Sequence, residues 1–214
     1  MNSQPLKFSI NDPVVILAGG QFPTHQRPLQ VLHAAGFLIC TDGSADRALD
    51  SGLRPDLVIG DLDSIGRPLA EYPCPVIAVA TQDDTDLEKA LNWCLEQQIH
   101  LITLTGLSGG GDDHALANLL ILNAYSDRLE VRAISDYFTI DCLSGKREFA
   151  SVAGQRVSLL ALEQSPAVTT SGLLYNLDNE PLPVSGRGIS NRAGGTTFRV
   201  RSTGKILIFR AHPE

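Results

Sequence analysis

The stretch Pro55-Asp56-Leu57-Val58-Ile59-Gly60-Asp61-Leu62-Asp63-Ser64 sets an apolar β-type run directly before two carboxylates. If Asp61-Leu62-Asp63 is extended, its alternate side chains project to one side and both acids can share a cation. The same arrangement recurs along the first two thirds of the chain. Apolar runs at Val14–Ala18, Phe37–Thr41, Val76–Val79, His100–Thr105 and Leu129–Ile134 alternate with helical patterns at Gln26–Ala35, Ala45–Ser51, Thr85–Gln98 and His114–Tyr125. In the third helix Leu87, Ala90, Leu91, Cys94 and Leu95 share one face. Strand–helix alternation of this kind predicts a parallel sheet covered by helices.

After Asp136 the pattern changes. Short runs at Phe138–Leu143, Arg156–Leu162, Gly172–Leu177, Thr196–Arg201 and Lys205–Phe209 are separated by Gly, Ser, Pro and Asn, and no helix-length pattern remains. The expected architecture is therefore α/β: an N-terminal parallel-sheet, Rossmann-like domain over residues 1–140, then a C-terminal antiparallel β-sandwich over 141–214.

The charge follows the same division. Between Asp42 and Asp113 fourteen acids face four Lys or Arg, whereas Ser144–Glu214 carries a net +4. With a formal charge of −7 overall, a global basic field for nucleic acid is excluded. The four cysteines form no CxxC pair, Cys40 and Cys94 in apolar runs read as reduced core residues, and neither a leader core nor a run of roughly 20 apolar residues is found. The expectation is a soluble cytoplasmic protein with no membrane partner.

Each acidic cluster sits where a strand ends. Asp42 follows Thr41, Asp61 and Asp63 follow Ile59, Asp83 and Asp86 follow Val79, and Asp113 closes the segment after Thr105. In an open parallel sheet these ends share one edge, where ligands bind. Converging carboxylates repel unless a cation joins them, and Mg²⁺ commonly arrives with nucleotide phosphates. Gly106-Leu107-Ser108-Gly109-Gly110-Gly111 lies between strand and helix and is not a Walker motif; Gly19-Gly20 follows the first strand. Such loops let backbone N–H groups approach phosphates. His114, at the following helix start, is a candidate acid or base.

Taken in order, Thr41-Asp42-Gly43-Ser44-Ala45-Asp46, the Gly60–Ser64 unit, Asp83-Asp84-Thr85-Asp86-Leu87-Glu88-Lys89 and Gly106–Asn118 resemble the thiamin pyrophosphokinase family; Gly188-Ile189-Ser190-Asn191 extends the likeness into the β half. The resemblance implies transfer of a pyrophosphoryl group from ATP to thiamin, with release of AMP, by a Mg²⁺-dependent homodimer whose sites are shared between subunits. By position it implies Asp61, Asp63 and Asp86 as metal carboxylates, with Asp42 and Asp113 as further catalytic acids. It implies nucleotide contacts at Gly19, Gly20, Asp42, Ser64, Gly106, Gly109, Gly110, Asp113 and His114. Ser190, Asn191 and Asp86 fall to thiamin. One departure stands out: the family's Arg in GGRxDH is Gly111 here, and Arg187 or Arg192 are the cations that could replace it. Two alternatives stay open, a pyrophosphokinase for another alcohol such as a hydroxymethylpterin and a non-catalytic nucleotide or thiamin sensor.

Overall fold

A computed structural model describes residues 8–162 and 165–213; the first seven residues, read above for a leader, lie outside the described residues. The first half runs β1 (Val14–Leu17), α1 (Gln26–His33), β2 (Phe37–Thr41), α2 (Asp42–Asp50), β3 (Leu57–Gly60), β4 (Val76–Ala78), α3 (Asp86–Glu96), β5 (Leu101–Thr105), α4 (Asp112–Tyr125) and β6 (Glu130–Ile134). Strands β6-β5-β1-β2-β3-β4 are parallel in that order. Because β1, β2 and β3 are buried on both faces, they read as continuous apolar runs rather than alternating ones. Leu32 of α1 and Ala45 and Ala48 of α2 cover Val15, Leu17, Leu38 and Cys40. On the opposite face Leu87, Leu91 and Cys94 of α3 and Leu122 of α4 cover Val14, Ile16 and Ile39. The order reverses between β1 and β5, so a crevice opens there at the carboxyl ends of the strands.

The second half comprises β7 (Phe138–Ala150), β8 (Arg156–Ala161), β9 (Ala167–Ser171), β10 (Glu180–Pro181), β11 (Asn191–Arg192) and β12 (Thr197–Ala211), all antiparallel. β12 pairs with β7 along nearly its whole length, and on its other side with β9 first and β8 later. The change of partner coincides with a register break between Ser202 and Ile206. Thus Thr196–Arg201 and Lys205–Phe209, which read as two strands, form one interrupted strand. The Phe138–Leu143 run extends to Ala150.

One expectation changes. Gly172–Leu177 is not a strand: Asn176 caps the backbone of Leu173 through its side-chain amide (3.1 and 3.0 Å), and Leu177 N–H donates to Thr170. Those side-chain bonds replace a ladder. The sheet also runs on without interruption through residues 140 and 141, both inside β7. Alternation along β12 explains the continuity. Leu207 joins the α/β core, while its neighbours Ile206 and Ile208 join the β core.

Leu207 is 1% exposed. Leu207→Ala should cost about 2–5 kcal/mol by leaving a cavity in that shared strand. Urea unfolding followed by both tryptophan fluorescence and far-UV circular dichroism should show one coincident transition, shifted down in the variant. Separate transitions for the two halves would contradict the shared-core reading.

Candidate active site

At the reversal point the loops after β1 and β5 interlock. Gly20 N–H donates to Gly106 O (2.9 Å) and Gln21 N–H to Ser108 O (2.8 Å). A Cβ at Gly20 would fall 2.3 Å from Gly106 O, so only glycine fits this approach. Arg47 on α2 braces the same loop, one guanidinium nitrogen donating to Gly19 O and Gly20 O at 2.9 Å each. Buried Asn118 on α4 holds the second loop by donating to Leu107 O (2.8 Å).

Beside these loops lies a cavity of about 380 Å³. Gly19, Gly20, Asp42, Asp61, Ser64, Asp86, Gly109, Gly110 and His114, all expected at the site, line it. Asp63 completes a triad with Asp42 and Asp61, one carboxylate oxygen from each lying within 4.8 Å of the others. The means differs from the extended geometry expected. Asp61-Leu62-Asp63 is a turn in which Leu62 adopts φ 69°, and Asp63 N–H donates to Asp61 Oδ1 (3.3 Å). A left-handed leucine is strained by order 1–3 kcal/mol and persists where its surroundings over-determine it. Here Leu62 N–H is fixed on Asp42 Oδ2 at 2.8 Å.

Asp42 opens α2 instead of sitting in a loop, with Gly43 N–H on its Oδ1 (2.6 Å). Gly60 leaves room for it, since a Cβ there would stand 2.6 Å from Asp42 Cγ. Asp86 is the first residue of α3, behind a capping box between Thr85 and Glu88. Its Oδ1 lies 2.9 Å from Lys89 Nζ, while Asp61 Oδ2 lies 3.4 Å from the same nitrogen. Lys89 is the one Lys or Arg among the described residues lining the cavity, and it is 4% exposed. The sequence reading passed over Lys89, Asn118 and Arg47. The one signal was position: Lys89 stands one turn from Asp86, but opposite the Leu87, Leu91 and Cys94 stripe of α3, where a lysine ordinarily faces solvent.

Asp113, Gly106, Ser190 and Asn191 do not line the cavity. Asp113 accepts from His114 N–H (2.8 Å), and Gly106 supports the loop from behind. Ser190 N–H donates to Ser158 Oγ (3.0 Å), and the Asn191 amide clasps both backbone groups of Tyr175 (3.1 and 2.6 Å). Gly111 is the N-cap of α4 with extended backbone. Neither cation considered as its substitute reaches the cavity of its own chain: Arg187 pairs with Glu180, and Arg192 donates to Gly154 O (3.0 Å).

The electrostatics follow from burial. Desolvation, then the adjacent Asp86, push the Asp42 carboxyl up to about 6, against the pull of the Gly43 and Leu62 N–H groups. Asp61 is held below its ordinary value by Asp63 N–H and then by Lys89, against the opposing effect of burial. Burial pulls Lys89 down, but Asp86 and Asp61 outweigh it and its pKa is raised. Thr41 Oγ1 lies in the cavity wall, buried and without a partner. A set of carboxylate oxygens with a spare hydroxyl is the donor chemistry of a hard divalent cation.

A pH dependence follows for the metal-free protein. Asp42 holds its proton more tightly folded than unfolded, where a carboxyl titrates near 3.9. Ionising it therefore costs native stability, and that cost grows from about pH 4 to about pH 6 and is complete above. In EDTA, the stability of Asp42→Ala relative to the parent should improve by about 2 kcal/mol between pH 4 and pH 7.5. Urea denaturation at the two pH values checks this, and an unchanged gap contradicts it.

Residues 29–133 match the family model described as thiamin pyrophosphokinase, catalytic domain, and residues 143–207 match thiamin pyrophosphokinase, vitamin B1 binding domain. A thiamine pyrophosphokinase of Bacillus subtilis is 30% identical over 175 residues, covering 72% of this chain and 82% of that protein. Thiamine pyrophosphokinase 1 of Oryza sativa subsp. japonica is 27% identical, covering 79% and 76%. The crystal structure of a Bacillus subtilis thiamine pyrophosphokinase superposes with a TM-score of 0.81 at 24% identity, covering 94% of this chain and 99% of that one. Thiamin pyrophosphokinase from Candida albicans gives a TM-score of 0.80 at 17% identity, covering 93% and 89%. These likenesses span both halves of the chain, which belongs to the thiamin pyrophosphokinase family.

Proposed function

We propose that this chain transfers the pyrophosphoryl group of ATP to the hydroxyl of thiamin, giving thiamin diphosphate and AMP. The observation that carries the reading is the acidic cavity at the reversal point, walled by two interlocked glycine loops and floored by a buried lysine. Residues 1–140 would hold ATP and residues 141–214 would supply thiamin contacts. Asp42, Asp61 and Asp63 suit Mg²⁺, with Asp86 adjacent. When bound there, Mg²⁺ would offset the charge of the phosphate oxygens.

The chain's own residues account for the rest. Gly19, Gly20, Gly109 and Gly110 let the backbone approach the phosphates, and Ser64 and His114 add polar contacts at the rim. The thiamin hydroxyl attacks the β-phosphorus, its proton passes to a carboxylate of the cluster, and the bond from that phosphorus to the AMP oxygen breaks. Asp113, engaged with its own helix start, is not placed for that proton within this chain. Thiamin is cationic, which suits the acids, and a flat ring needs an aromatic wall. Tyr175, 71% exposed and fixed by Asn191, offers one in the β half.

Ser190 and Asn191 stand away from the acidic cavity of their own chain, which supports a homodimer in which each site takes its acids from one subunit and its thiamin contacts from the other. The four cysteines, none of them in a disulfide among the described residues, suit a reducing, cytoplasmic setting. Among the described residues no helix is long and apolar enough to cross a membrane. Another alcohol as acceptor is not favoured, because the β half matches the vitamin B1 binding domain.

Incubation with ATP, Mg²⁺ and thiamin should yield AMP and thiamin diphosphate in equal amounts, and a hydroxymethylpterin should yield neither. Asp61→Asn or Asp63→Asn should lower turnover by at least a hundredfold while circular dichroism stays unchanged, the scale expected for loss of a charge-stabilising group. AMP formed only with the pterin, or full turnover in both variants, would refute the reading. Sharing of the site is tested by refolding Asp61→Asn together with Asn191→Ala. Random pairing makes about half the dimers mixed, each with one intact site, so roughly a quarter of parental activity should return. Mixed dimers without activity would place each site within one chain.

A further inference from the structure

A second opening, of about 880 Å³, lies where the two halves meet, away from the acidic cavity. Its β wall carries Arg156 and Arg192. These are direct cross-strand neighbours in the β8–β11 pairing, an arrangement in which like charges destabilise a sheet. Arg187, Arg199 and Arg210 in the same half each have a carboxylate partner. Among the described residues no carboxylate lies within ion-pair distance of Arg156 or Arg192. Both guanidinium groups are instead held by uncharged groups. Arg192 donates to Gly154 O (3.0 Å), and Arg156 stacks 4.7 Å from the Phe138 ring centroid. Their remaining N–H donors have no protein partner among the described residues.

The opposite wall adds one further donor. The rings of His25 and His212 stack with centroids 5.3 Å apart and planes 16° from parallel. His25 Nδ1 accepts from Arg27 N–H, which leaves its Nε2–H to donate, whereas His212 Nε2 donates to Ser135 O at 2.8 Å and its Nδ1 is an acceptor in the neutral ring. Asp136 is the one carboxylate among the described lining residues. It is occupied by Thr24 N–H, Thr24 Oγ1 and His25 N–H at 2.7–3.2 Å. At the rim Tyr137 is 72% exposed and gives a flat apolar surface beside the cations.

We propose that this cleft is an anion site for a phosphate-bearing small molecule, its phosphate or diphosphate held between Arg156 and Arg192 and its organic part against Tyr137. The volume is that of a small-molecule pocket. A guanidinium pair is the side-chain arrangement best matched to phosphate oxygens. A bound dianion also removes the repulsion that the β8–β11 register imposes. The inference does not depend on the reading of the acidic cavity, which repels phosphate when no cation is bound.

The test uses the full chain in EDTA, at ionic strength fixed with KCl, titrated with inorganic phosphate and separately with pyrophosphate by calorimetry. The expected result is one saturable site per chain, weakened about tenfold by Arg156→Gln and by Arg192→Gln, the scale of one charge-assisted contact. Arg156→Lys, which keeps the charge, should bind within a few-fold of the parent and decides the case if a glutamine variant fails to fold. Without phosphate, Arg156→Gln should melt no lower than the parent, and it should turn over ATP and thiamin at the parental rate. The absence of saturable binding, an adventitious effect equal to that of KCl, or binding untouched by both glutamine substitutions would overturn the proposal.

Discussion

Carboxylates gathered at the end of a parallel sheet repel one another, and this fold can hold them together because Lys89 is buried among them. The ammonium group touches Asp86 and Asp61, while Asp42, a little further in, is left to burial and backbone N–H groups. A buried ion pair recovers its desolvation cost only when its geometry is good and other hydrogen bonds complete it. The cluster is therefore compensated only in part, which leaves it receptive to a divalent cation and keeps one acid titrating near neutrality.

That arrangement depends on topology. Strand order reverses between β1 and β5, so the two glycine loops that follow those strands meet and lock through backbone bonds instead of covering the crevice. α2 and α3 start at the same edge and deliver Asp42 and Asp86 from opposite faces of the sheet. The β half is joined to this platform by β7 and β12, whose alternate residues enter both cores. Ser190 and Asn191 are thus carried on a rigid extension of the sheet, at a distance from the acids of their own chain.

Much of this was legible in the residues. The parallel half was, because doubly buried strands must be apolar throughout and because Asp and Gly punctuate their ends; β2 is found at its expected bounds, Phe37–Thr41. The start of the third helix was legible at Thr85, because capping signals are local; the structure adds a capping box with Glu88. Gly172–Leu177 misled because an apolar run says nothing of Asn176, whose side chain takes the bonds a ladder would have used. The Asp61–Asp63 geometry misled for a related reason: the left-handed Leu62 depends on Asp42, twenty residues away in sequence. Lys89 was hidden because helical spacing sets it opposite the Leu87, Leu91 and Cys94 stripe, which reads as a solvent-facing position, although Asp61 and Asp86 hold it buried.

The central claim is that Asp42, Asp61 and Asp63 form one divalent-cation site whose protonation is set by burial of Asp42. Calorimetric titration of the EDTA-stripped, dialysed protein with Mg²⁺, in buffers of different ionisation enthalpy, tests it directly. The account predicts one saturable site per chain, lost in Asp61→Asn, with release of about half a proton near pH 6 and almost none at pH 8. Binding that survives Asp61→Asn and Asp63→Asn, or proton release that does not change with pH, would contradict it.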